Sequence, residues 1–344
     1  MKLDKILLIG CLLLGMQTTV RAERSYEKLC AGYEKACENG KCGLFINGHH
    51  SPIVYNDVRC AQDTNAILVS TQPGKWHIYN EDKQTAGPGQ YDEVQAFDMY
   101  RLKVKTTNKW GLVTTEGTEL LPAKYEDVTV LSNNYLMAKN SGKWKIFYSQ
   151  GQEIKEISPT AYERVEPAPK YYKGYYMVTV NGKKGLIFLP HPWMEERVNL
   201  SYVKPLYDDI VLPPYYNFVK VSQNKKWGLY DLKSGELVSR LFDDISRFGP
   251  SHQDMFKTTL QGKHGVLTIN NTQTLEEIVP PTFEDVKALV GKQLIAISQK
   301  GKWGVYDTKE QKVILDPVYK DIRPSGVKAV QVLEQGEWTK KQLL

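Results

Sequence analysis

Short apolar runs separated by turn residues dominate the chain, and their periods suit strands rather than helices. Gln293-Leu-Ile-Ala-Ile-Ser298 and Asn217-Phe-Val-Lys-Val-Ser222 are β-prone in composition. Turn residues such as Asn181-Gly182 or Ser141-Gly142 follow such runs, and a Trp-Gly-aliphatic segment then opens the next strand. Asn-Gly between two such runs is a strong hairpin signal. A second turn at 114–117, 149–151 or 232–235 leads to runs such as Glu119-Leu-Leu and Lys312-Val-Ile-Leu. Pro122, Pro159, Pro205, Pro281 and Pro317 follow, and proline there is expected to end the strand because it cannot donate to a ladder. Each unit is thus predicted to hold three to four short strands and no helix. Residues 25–38 (SYEKLCAGYEKACE) differ and read as a short helix.

Two markers show that these runs repeat. A Lys-Trp-Gly core occurs as NKWG (108–111), KKWG (225–228) and GKWG (301–304), with degenerate copies between them. Its Trp position falls at 42, 76, 110, 144, 184, 227, 264, 303 and 338, so the unit is about 37 residues long. An aromatic-acidic-acidic-aliphatic tetrad alternates with it: YDEV (91–94), YEDV (125–128), YERV (162–165), YDDI (207–210), FDDI (242–245), FEDV (283–286) and YKDI (319–322), with YNDV (55–58) weaker. Two markers in one phase over about eight units exclude coincidence.

The K-W-G-L-[VY] core, the turn glycine, the late proline and the tetrad together resemble the WG-repeat family of bacterial proteins over residues 41–344. The resemblance implies an all-β repeat array and carries no activity with it. Cys42, Lys184 and His264 stand where Trp is expected, and those copies are expected to pack differently or less tightly. Tandem antiparallel hairpins of this length suit a propeller-like array, with an open β-solenoid as the alternative. The domain division is a signal peptide at 1–22, a helical cysteine-bearing segment at 23–40, and the repeat domain at 41–344.

The first 22 residues pair a basic start (Lys2, Lys5) with an apolar stretch from Ile6 to Leu14 and small residues at Val20 and Ala22. That is the pattern of a cleaved secretory signal, too short to span a bilayer. Leu8-Ile9-Gly10-Cys11 offers a rival, a lipid-anchored form through Cys11. The location expected is periplasmic or secreted. The mature chain keeps +4 of the formal +6, with lysines and acids interspersed, so no nucleic-acid footprint is present. Four mature cysteines, Cys30, Cys37, Cys42 and Cys60, predict two disulfides in an oxidising compartment. On a helix Cys30 and Cys37 lie about 10 Å apart, so each is expected to pair with Cys42 or Cys60.

Candidate chemistry is sparse. The repeated tryptophans are expected in the core of their repeats, and the acidic pairs lack the alternation of a Ca²⁺ loop. His49-His50 has no companion ligand at metal spacing, and no nucleophile elbow, HExxH or phosphate loop occurs. No catalytic, metal or cofactor residue is therefore assigned. The two longest intervals, 144 to 184 and 184 to 227, gather Tyr171, Tyr172, Tyr175, Tyr176, Trp193, Tyr215 and Tyr216. Insertions in repeats favour one binding face, so these are the candidate partner-binding residues. The expected function is a non-catalytic exported binding or scaffold protein for a protein or glycan partner. A glycoside-cleaving enzyme and a structural envelope component are the alternatives. Mass spectrometry of the exported protein should find Glu23 at its N-terminus; a diacylated Cys11 would refute cleavage after Ala22.

Overall fold

The computed structural model describes residues 25–343 apart from 47, 133, 170–171, 191–202, 213–217, 250–253, 271, 273 and 290. The proposed signal and Cys11 lie outside these residues. Every described element is a β-strand. The strands form nine sheets in chain order: 25–50, 57–86, 93–125, 127–156, 164–207, 209–237, 244–283, 285–319 and 321–342. The first eight have four strands and the ninth three, and sequence neighbours are hydrogen-bonded neighbours in each. This is the blade unit of propellers, and the all-β expectation holds. The chain divides into two compact units, with the division passing through the fourth sheet.

The helix expected at 25–38 is a hairpin instead. Ser25–Lys28 pairs with Glu34–Glu38, which pairs in turn with Lys41–Ile46. A helix this short barely covers its nucleation cost, whereas the strands gain a ladder and bury Ala36 to 1% exposure. The cysteines nevertheless pair within the expected sets. Cys37 meets Cys42 across the second and third strands, with Cα atoms 4.1 Å apart. Cys30 meets Cys60 of the second sheet, with Cα atoms 5.9 Å apart.

Core lies between consecutive sheets, which explains why whole runs are apolar rather than alternating. In the first unit, Leu44 meets Val58 and Val69, while Leu68 and Ile78 on the other face meet Val94 and Val104. In the second unit, Leu186 and Val203 meet Ile210, Val219 and Val221, and Ala296 and Val305 meet Ile322, Val330 and Val332.

The two sequence markers are partners. The Trp-position residue on the third strand pairs with the tetrad aromatic in Trp110↔Tyr125, Lys184↔Tyr207, His264↔Phe283 and Trp303↔Tyr319. Cys42↔Tyr55, Trp76↔Tyr91, Trp144↔Tyr162 and Trp227↔Phe242 repeat it as isolated bridges. Between this pair and the next, the fourth strand bulges over the glycine of the motif. Gly111 faces the stretch between Leu121 and Tyr125, and Gly304 that between Leu315 and Tyr319. A Cβ on Gly304 would lie 2.3 Å from the Leu315 carbonyl oxygen and 2.7 Å from the Pro317 nitrogen. Glycine is required by the backbone that crosses it.

Pro122, Pro205, Pro281 and Pro317 therefore do not end the strand, as the sequence suggested. They lie inside the fourth strands Glu119–Tyr125, Val203–Tyr207, Leu275–Phe283 and Lys312–Tyr319. Residues in a bulge have no ladder partner, so a missing N–H costs nothing there. Three other repeats close this corner with serine: the amides of Leu44, Ile146 and Leu229 donate to Ser51, Ser158 and Ser239 hydroxyls at 2.7, 3.0 and 2.8 Å.

The first tetrad acid ties its repeat to the next. Asp92 accepts from the Thr107 amide at 2.8 Å, Asp208 from Asn224 at 2.7 Å and Asp243 from Gln261 at 2.5 Å, each in the following sheet's hairpin turn. Each also holds the lysine of its own motif: Lys75, Lys183 and Lys226. The lysine first, then the turn amide, holds these carboxyls below the ordinary aspartate range.

Gly304→Ala should cost about 1–3 kcal/mol, the range for overpacking. Gly228→Ala should cost less, because the nearest atoms there are movable side-chain ends, Leu237 Cδ1 at 2.8 Å and Leu241 Cδ2 at 3.1 Å. Equal losses in urea unfolding would contradict the bulge argument. A carboxyl whose pKa is lowered by folding stabilises the fold above its unfolded value of about 3.9 and loses that contribution as pH falls through the folded value. Melting temperature should therefore drop between about pH 5 and pH 2. The Asp92→Asn, Asp208→Asn, Asp243→Asn triple variant should drop less than the parent over that range; parallel curves would show that these staples add nothing.

Candidate functional site

Tyr171, Trp193, Tyr215 and Tyr216 lie outside the described residues. Tyr172, Tyr175 and Tyr176 belong to the hairpin that opens the fifth sheet's second strand, Tyr175–Val180. Tyr172 sits edge-on to Tyr175 at 6.3 Å, and Tyr175 packs on Phe188 at 4.8 Å. Tyr175 also packs against the core of Leu186, Val203 and Tyr207. Tyr176 is 8% exposed, and burial pushes the Tyr172 phenol up. The structure thus brings Tyr172 and Tyr175 together as packing residues and does not present these rings as an open platform.

The tryptophans of the repeats are half-buried rather than core, and Trp338 of the ninth sheet is exposed, a further departure from expectation. Their outer faces are covered by cations: Arg59 over Trp76 at 4.0 Å, Lys103 over Trp110 at 4.4 Å, Lys220 over Trp227 at 4.3 Å, Lys287 over Trp303 at 4.0 Å and Arg323 over Trp338 at 4.1 Å. The cation comes from either member of one cross-strand pair: Arg59↔Leu68, Gln95↔Lys103, Val211↔Lys220, Lys287↔Ala296 or Arg323↔Gln331. Three of the lysines reach on to the second tetrad acid: Lys103 to Asp127 at 2.5 Å, Lys220 to Asp244 at 2.8 Å and Lys287 to Asp321 at 3.0 Å. Each ring contact lies within one sheet, where a cation over indole is worth about 0.5–2 kcal/mol, and the three lysines carry the link on to the next sheet.

The copies lacking Trp keep the same register and fill the place differently. Cys42 is bonded to Cys37. Lys184 itself reaches Asp209 at 2.7 Å. His264 shares a bond with Thr259 Oγ1 at 3.1 Å, beside the Lys257–Asp285 pair at 2.5 Å. Burial, then Lys257, pushes the His264 imidazole down.

A cleft of about 240 Å³ opens between the second and third sheets, both in the first unit. Its lining is rich in acceptors: Asn65, Asn80, Glu81, Asp82, Thr115 and Glu116, over an apolar floor of Ala66 and Ile67. Tyr79 closes one side, its phenol pushed up to about 12 by burial, then by Tyr55, Tyr33 and Glu81. Burial raises the Glu116 carboxyl, but hydrogen bonds from Thr115 at 2.7 Å and from Thr114 outweigh it and hold it low. Beside the cleft, Met99 and Tyr100 are 72% and 73% exposed, and the Thr115 amide donates to the Tyr100 carbonyl at 3.0 Å. No described group of three or more His, Cys, Asp or Glu is placed to hold a metal. No motif marks this cleft, because its acids sit in turns such as TTEG, where acids are ordinary.

Residues 110–144 and 303–325 match the family described as WG containing repeat. No curated protein matches the chain. Among solved structures, Kluyveromyces lactis Hsv2 is 15% identical over 84% of this chain and 98% of its own, with a TM-score of 0.24. Apo AztD from Citrobacter koseri is 10% identical over 85% and 84%, with a TM-score of 0.25. PorZ, a bacterial surface component of the type-IX secretion system of Porphyromonas gingivalis, is 11% identical over 91% of this chain and 51% of its own, at 0.21. The family matches fall on the Trp110 and Trp303 copies, whose pairing with a tetrad aromatic recurs in eight sheets, so the chain carries WG containing repeats.

Proposed function

We propose that the protein is an exported, non-catalytic binding protein that holds a protein or glycan partner against its repeat surface. Its site is the cleft between the second and third sheets. The observation that carries this is the cleft's composition: acceptors from three separate turns converge beside two exposed apolar side chains, Met99 and Tyr100. Polar groups that orient a ligand, next to an apolar anchor, form the usual plan of a recognition site. Two cysteine pairs at bonding distance support an oxidising compartment and hence export.

A glycoside-cleaving role finds less support. Its general acid needs a carboxyl raised toward neutrality, and Glu116 is held low instead.

The test measures capture of envelope proteins and of arrayed glycans by the mature protein. Asp82→Asn, Glu116→Gln and Tyr100→Ala are then compared at equal folding by circular dichroism. At least one variant should weaken capture about tenfold, or about 1.4 kcal/mol. Unaltered capture by all three folded variants would move the site elsewhere, and turnover of a captured glycan would overturn the non-catalytic assignment.

A further inference from the structure

The first and ninth sheets depart from the internal ones in different ways. An internal sheet buries the aliphatic residue two places after the Trp position, as Leu112, Leu186, Leu229 and Val305 show at 0–1% exposure. In the ninth sheet that place holds exposed Lys340, and Gln331 stands opposite Arg323 on the same face. Polar residues at core positions are how a repeat array caps itself.

The first sheet has the opposite character on the face turned away from the second. Leu44 and Cys42 point toward the second sheet, so alternation places Tyr26, Ala36 and Phe45 on the other side. Tyr26 pairs with Ala36, which pairs with Gly43, so it holds the register place of Val94 in Val94↔Val104↔Gly111. Phe45 pairs with His50. The Tyr26 ring stands edge-on to Phe45 at 6.0 Å, and His50 lies over Phe45 at 4.4 Å with an interplanar angle of 32°. Tyr26 is 52% exposed and His50 is also exposed. Lys28 and Glu34 pair across the same face. Both disulfides lie at this end: Cys37–Cys42 inside the sheet, and Cys30–Cys60 fastening its turn to the second sheet. The aromatic face is therefore held rigid from behind.

Size selects the occupant. Four strands about 4.8 Å apart and two to six residues long present roughly 300 Å². Two copies meeting through this face would bury roughly 600 Å², short of the ~1,200 Å² of a stable interface. A protein partner needs about 800 Å² on its own side. The face suits a smaller ligand that lies flat, covers aromatic rings with C–H groups and offers hydroxyls to Lys28 and Glu34.

We propose that the outer face of the first sheet, built from Tyr26, Phe45 and His50, is a binding platform for a neutral linear oligosaccharide. The platform is separate from the cleft, and either assignment can fail alone. The test is gel electrophoresis of residues 23–344, disulfides intact, through gels containing soluble β-glucan, xylan or glycol chitin. Titration calorimetry with the hexasaccharide of any retarding polymer follows. At least one polymer should retard the protein. Tyr26→Ala and His50→Ala, with unchanged melting, should each weaken binding at least tenfold, while Tyr26→Phe should retain it. Trp338→Ala, an exposed aromatic on the ninth sheet, should bind as the parent does. Three results overturn the proposal: no polymer retards the protein, Tyr26→Ala and His50→Ala bind normally, or ultracentrifugation finds a Tyr26-dependent dimer.

Discussion

The rest of the structure depends on the pairing of the Trp position with the tetrad aromatic, which in four sheets is enforced by the crossing of the fourth strand over the motif glycine. Van der Waals exclusion leaves no space for a Cβ at Gly111, Gly185, Gly265 or Gly304, where it would lie 2.3–2.7 Å from a carbonyl oxygen. That close approach fixes the register of the third and fourth strands. The register places the tetrad aromatic opposite the Trp position. The tetrad's next residues then open the following sheet in the only phase that lets its acids reach the lysine behind and the turn ahead. Hydrophobic burial between sheets supplies most of the stabilisation. The register decides which residues are buried.

Much of this was legible because it is periodic. Nine Trp positions and eight tetrads in one phase announce a repeat, and Asn181-Gly182 announces its hairpin. Features that depend on cross-strand register were not legible. Composition alone shows Trp303 as a large apolar residue, and nothing local reveals that Lys287, on another strand, covers it. The helix expected at 25–38 excludes a Cys30–Cys37 bridge and leaves their partners open between Cys42 and Cys60; the hairpin that stands there keeps the two apart equally well. The 25–38 segment has helical propensity, but pairing with Lys41–Ile46 overrides it. The prolines misled for a related reason, since a bulge removes the penalty that normally bars proline from a strand.

The candidate sites divide along the same line. The tyrosine-rich interval stands out by its length between markers, and Tyr175 and Tyr176 in it pack inward. The cleft and the aromatic end face are invisible to such counting. The cleft is made by turns brought together from two repeats. The end face differs from an internal one by single residues, such as Tyr26 where a valine would stand. Counting identifies where a repeat departs in length, but a repeat of normal length can differ in what it exposes.

The tetrad has a consequence for how such a protein changes over time. Its aromatic closes one sheet, and its acids and aliphatic residue open the next, so no linker separates them. A residue added at that junction would shift the side chains of the strand it enters to the opposite face. Added length is tolerated only inside a repeat, at hairpin tips or before the fourth strand. Growth by whole units is silent, because a duplicated segment running from one tetrad to the next brings its own glycine, lysine and acids in phase. The repeat is thus also the unit of inheritance, bounded where the backbone allows no slack.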